Sequence, residues 1–149
     1  MIARRGALAA IVLSAVMGLP GTAMAGSCSK DDFAAVVDEA SAVLRKLNDD
    51  NTPRFQAGLR QLKEKKGWSD ADFIANARPF VQDDTIQTYD EGAAQLLVQI
   101  NTLGDTSGAA VPDCAVLTKL KESMSRLVVG MEGKWTYMFK KLQDALAAP

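Results

Sequence analysis

Histidine is absent from the 149 residues. With it go imidazole metal sites, Ser-His-Asp and Cys-His catalysis, and charge switching near neutral pH. What remains for chemistry is carboxylate, lysine, arginine, tyrosine, hydroxyl groups and two cysteines. The densest polar group surrounds a proline: Arg78 precedes Pro79, and Asp83 and Asp84 follow. Two carboxylates beside a guanidinium can hold a small polar ligand or share a proton. Neighbouring helical residues point about 100° apart, however, so neither Asp83 with Asp84 nor Asp90 with Glu91 faces one pocket as a unit. The plainer reading of this corner is negative charge at a helix N-terminus. An enzyme acting on an anionic substrate would instead have to gather Arg45, Arg60, Arg126 and Lys134 from different helices into one cleft. Carboxylate-only metal binding would draw on Glu39, Glu64, Glu91, Glu122 and Glu132, and no Glu-x-x-His element accompanies them. No metal and no other cofactor is expected.

Cys28 and Cys114 are the only cysteines, too far apart for a Cys-x-x-Cys redox centre. Each lies just before an expected helix. Their pairing is expected to be a structural disulfide that ties the start of the first helix to the start of the last. In the chain-entropy picture, closing so long a loop is worth up to about 4.6 kcal/mol.

An oxidising compartment is implied by the N-terminus as well. Arg4 and Arg5 precede an apolar stretch from Ala7 to Leu19, followed by Pro20, Gly21 and the motif Ala23-Met24-Ala25. That is the pattern of an export signal over residues 1–25, cut after Ala25. Residues 26–149 then form one domain, periplasmic or secreted, with no transmembrane span. A less favoured reading makes Cys28 a lipid-anchored residue, but Ala25 stands where such a motif usually has Leu. Loss of Arg4 and Arg5 leaves 15 basic against 18 acidic side chains, so nucleic acid is not an expected partner.

The elements that must position these groups are helical throughout. Ser29 with Asp32 forms a capping box for a first helix from Lys30 to about Asn48, with Phe33, Val36, Val37, Ala40, Val43, Leu44 and Leu47 as its apolar stripe. Asn48-Asp49-Asp50-Asn51 reads as a polar turn without the spacing of a calcium loop. Thr52 and Pro53 then open a second helix, ended by Gly67. Ser69 caps a short third helix, with Trp68 and Phe73 as a hydrophobic staple. Pro79 ends it, and Phe80 and Val81 fold back as a buried corner. A fourth helix starts at Asp84, paired with Gln87, and stops at Gly104; its mid-helix Gly92 suggests a close neighbour. Gly104 to Pro112 reads as a surface loop.

The last helix runs from about Asp113 to Ala147 and outreaches the others, with Gly130 and Gly133 marking a kink or a close crossing. The expected fold is therefore all-α: a small bundle of about five helices, three long and two short, antiparallel where loops are short. Met124, Met131, Trp135, Met138 and Phe139 share or border one face of the last helix. Tyr137 and Lys134 stand beside them. Such adaptable side chains either fill the core or form a groove for a partner. The functional reading is an exported binding or accessory protein acting through protein–protein interaction. The alternatives are a carrier or chaperone for an apolar ligand or unfolded chain, and the small enzyme described above.

Overall fold

The computed structural model describes residues 28–105 and 113–149. The expected leader over 1–25 and residues 106–112 of the expected loop lie outside the described residues. The fold is all-α, built from α1 (Lys30–Lys66), α2 (Asp70–Ala77), a 3-10 turn (Arg78–Phe80), α3 (Asp84–Asp105) and α4 (Cys114–Ala147).

The expected first and second helices are one. α1 continues for 37 residues through Asn48-Asp49-Asp50-Asn51 with Pro53 inside it. A proline there forfeits one backbone hydrogen bond and crowds the preceding turn, at a cost of about 3 kcal/mol. Local side chains and a tertiary bond hold the helix across the weak point. Lys46 pairs with Asp50 at 2.7 Å, Asn51 Nδ2 donates to the Leu47 carbonyl at 2.8 Å, and Trp135 Nε1 donates to Asn48 Oδ1 at 3.2 Å. Thr52 therefore caps nothing. Among the described residues the bundle has four α-helices where about five were expected.

Other boundaries follow the local chemistry. Ser29 and Asp32 make both halves of the capping box at the start of α1. Its end is a left-handed Gly67 (φ 65°), with the Gly67 and Trp68 amides donating to the Glu64 and Lys63 carbonyls. Ser69 Oγ accepts from the Asp72 amide, and α2 stops before Pro79 as expected. α3 is capped one residue earlier than the Asp84–Gln87 reading, by Asp83 Oδ1 accepting from the Ile86 amide at 2.8 Å. It passes through Gly104 to Asp105. Val81 is 45% exposed, so the corner after Pro79 buries Phe80 in part and leaves Val81 out.

α4 is the helix on which both α1 and α3 lie. The Cys28–Cys114 disulfide joins the N-terminal ends of α1 and α4, while Lys65 reaches the Leu146 and Ala148 carbonyls at the other end. The two long helices are thus parallel, each over about 50 Å at 1.5 Å per residue. α3 runs antiparallel to them, with Asp83 near Lys141 and Ile100 near Leu117 and Leu120. The core divides along this length. One cluster near the disulfide is centred on Phe33, Ile100, Leu120 and Met124. The other, under α2, is centred on Phe55, Leu62, Ile86, Met138 and Leu142.

Candidate functional site

Asp83, at the polar corner, is the most connected carboxylate, and its partners differ from those the sequence suggests. Lys141 donates to it, and so do Tyr137 Oη at 2.9 Å and the Ile86 amide. Lys141 also donates to the Pro79 carbonyl. The Lys141 ammonium, then the Ile86 amide, and more weakly the Tyr137 hydroxyl hold the Asp83 carboxyl down to about 2, against an upward push from desolvation. Arg78 and Asp84 are both exposed, and neither joins this cluster. A carboxylate engaged by three donors is committed to fastening α3, the 3-10 turn and α4 together. It is poorly placed to take a proton.

Most of the lysines are also committed within the fold. Lys63 pairs with Asp70, Lys134 with Asp90, and Lys140 with Asp144. Lys65 and Lys66 donate to carbonyls at the end of α4. Arg45, Arg60 and Arg126 are exposed. Arg45 and Arg60 are separated along α1 by about 22 Å at 1.5 Å per residue, so no single small anion reaches both. Among the described residues, no three carboxylates or cysteines come together as a metal site.

The Met and aromatic face of α4 divides between the two core clusters. Trp135 and Phe139 set their rings against Phe55, with centroids 6.0 and 5.5 Å away and steep interplanar angles. Arg54 lies 5.3 Å over the Phe139 ring. Met138 is buried, Tyr137 half-buried on Asp83, and Met131 half-buried against the first cluster. A Cβ on Gly133 would come within 3.1 Å of the Tyr89 ring, which marks a close crossing with α3. Gly130 has open space around it, and so does Gly92, contrary to the close neighbour expected there. The tightest of these glycine positions was not foreseen: a Cβ on Gly58 would lie 2.6 Å from Leu142 Cδ2.

Met124 floors a different feature, a cleft of about 430 Å³ between the first half of α1 and the facing part of α4. Val36, Ala40 and Val43 form one wall, and Val128, Val129 and Ser125 the other. Glu39 and Lys121 stand at its rims, and no α3 residue lines it. Val43 is 42% and Val129 62% exposed, so the cleft carries apolar side chains out to its lip. The sequence held a trace of it. The α1 stripe is wider than one packed neighbour can cover, and Val129 continues the apolar run of α4 beyond the core face.

No protein-family model, curated protein or solved structure matches this chain. No helix among the described residues is long and apolar enough to cross a membrane.

Proposed function

We propose that the protein is exported, oxidised at Cys28 and Cys114 outside the cytoplasm, and acts by binding a partner protein in the α1–α4 cleft. The occupant is a segment with an apolar stripe, laid along the seam in the manner of a helix in a groove. One observation carries the reading: the cleft is walled by Val36, Val43, Val128 and Val129 on two long helices, and nothing else in the described fold covers it. Export is supported by the basic-then-apolar leader and by the disulfide, a bond that persists in oxidising compartments.

A second reading has one observation in its favour. A volume of about 430 Å³ falls within the range of small-molecule sites, so an apolar ligand would also fit. Capture from an envelope extract on immobilised oxidised protein separates the readings. A stoichiometric protein retained by the native chain and by Val98→Lys, but lost with Val129→Lys, supports the first. Val98 is 68% exposed on α3, outside the cleft lining, so it controls for added surface charge. A small apolar molecule extracted from the native chain but not from Val129→Lys supports the second. Equal capture by all three proteins sinks both.

A further inference from the structure

The two helices that wall the cleft are fastened by different means at their two ends. Toward their C-termini, α1 and α4 share the Trp135–Asn48 hydrogen bond, the Lys65 and Lys66 bonds to terminal carbonyls, and the Phe55, Trp135 and Phe139 rings. From Lys30 to Leu47, α1 meets α4 through apolar packing alone, with no hydrogen bond or ion pair to α4 among the described residues. The Lys121 charge adds only a weak pull on Asp32. Ahead of that stretch stands the disulfide, with the Cys28 amide donating to Cys114 Sγ at 3.1 Å. Cys114 is exposed and Cys28 half-buried. The cleft begins about two helical turns further along both helices, at Val36 and Lys121. The disulfide therefore adds a covalent tie to the apolar packing of Phe33, Ala40, Leu117 and Leu120 in setting the spacing of the cleft walls at this end.

We propose that the Cys28–Cys114 disulfide is a redox latch on the cleft. Oxidised, it holds the two valine walls at binding distance; reduced by an external dithiol, it lets the first half of α1 swing away and the partner is released. This control rests on the cleft being the binding site. In the chemical step, a thiolate of the dithiol attacks Sγ of Cys114, the more exposed of the two cysteines. The S–S bond breaks, and Cys28 leaves as a thiolate that takes up a proton. The second thiol of the reagent then closes on the mixed disulfide and expels Cys114, which is protonated in turn. The dithiol ends as a disulfide, and the protein gains two electrons and two protons.

The test uses the protein as the cell exports it, treated with millimolar dithiothreitol without denaturant and followed by thiol titration and amide hydrogen exchange. The latch requires both thiols to appear in the folded protein. It further requires exchange over residues 30–47 and 114–129 to accelerate at least tenfold while residues 54–66 and 135–147 keep their protection. Reoxidation must restore the pattern, and a Cys28→Ser, Cys114→Ser double variant must reproduce the reduced one. Thiols that appear only on unfolding, or exchange that rises evenly along both helices or not at all, overturn it. Where a partner has been captured, its affinity must fall at least tenfold on reduction. Local loosening accompanied by capture that Val129→Lys leaves intact counts against the binding reading rather than against the latch.

Discussion

The seam between α1 and α4 is open at one end of the molecule and shut at the other, although the same two helices form it. About five turns beyond Val36 and Lys121, the corresponding faces carry Arg54 and Phe139. There the guanidinium lies over the ring, and the Phe55 ring meets those of Phe139 and Trp135 edge-on. A valine or methionine side chain is too small to span a seam that has a neighbour on only one flank. An aromatic ring is large enough to fill it. The difference extends to polar groups. The shut end is clasped by Asp83, Tyr137 and Lys141 and by lysines on the last carbonyls of α4. The open end relies on the disulfide and on the apolar packing around Phe33 and Leu120.

Four measurements would break or sharpen this contrast. Removing the disulfide should have the largest effect, a loss of up to about 4.6 kcal/mol in denaturant unfolding, with exchange protection lost first around Phe33 and Leu120. An unchanged midpoint would show that apolar packing alone holds the open end. Next, Phe55→Ala should cost about 4 kcal/mol, since the ring is 4% exposed between two others. Val43→Ala, on the lip of the cleft, should cost less than about 1 kcal/mol. Comparable losses would mean that the cleft is packed as tightly as the aromatic end.

The glycines probe the same contrast more finely. Gly58→Ala drives a methyl toward Leu142, which is 2% exposed and has little room to move, and should cost about 1–2 kcal/mol. Gly92→Ala meets nothing within 4 Å and should stabilise α3 by up to about 1 kcal/mol in a thermal melt.

The smallest effect expected is on acid stability. Asp83 is held at about 2 in the folded chain against an ordinary value near 3.8. Its contribution is therefore complete above the ordinary value and is lost as pH falls from there toward 2. Asp83→Asn should flatten unfolding free energy over that window. The slope that remains belongs to carboxylates such as Asp32 and Asp70, which Ser29 and Lys63 respectively lower. A slope the same as that of the native chain would show that the clasp does not favour the charged carboxylate.

Where a boundary depends on residues three or four apart, it was legible in the sequence. The Ser29–Asp32 box, the Gly67 stop, the end of α2 before Pro79 and the span of α4 all have that form. Asn48 to Pro53 has it too, and there the local reading failed, because a tryptophan from α4 and apolar residues on both sides keep the helix intact. The candidate site was legible only in part. Met124 is on the cleft floor, but Trp135, Met138 and Phe139 of the same stripe are built into the other core cluster. Periodicity tells which face is apolar; it does not tell how many neighbours arrive to cover it.

From its sequence alone the chain is committed to helices, to their caps, and to a pair of cysteines placed to join two helix starts, since each of these rests on a few neighbouring residues. Only the tertiary structure decided that α1 would run unbroken past Pro53, that α1 and α4 would lie parallel, that Asp83 would meet Tyr137 and Lys141, and that valines would line a cleft between α1 and α4. Those outcomes depend on which surfaces meet across more than fifty residues of chain. Burial of apolar area drives that meeting without regard to direction, so helical spacing cannot specify it in advance.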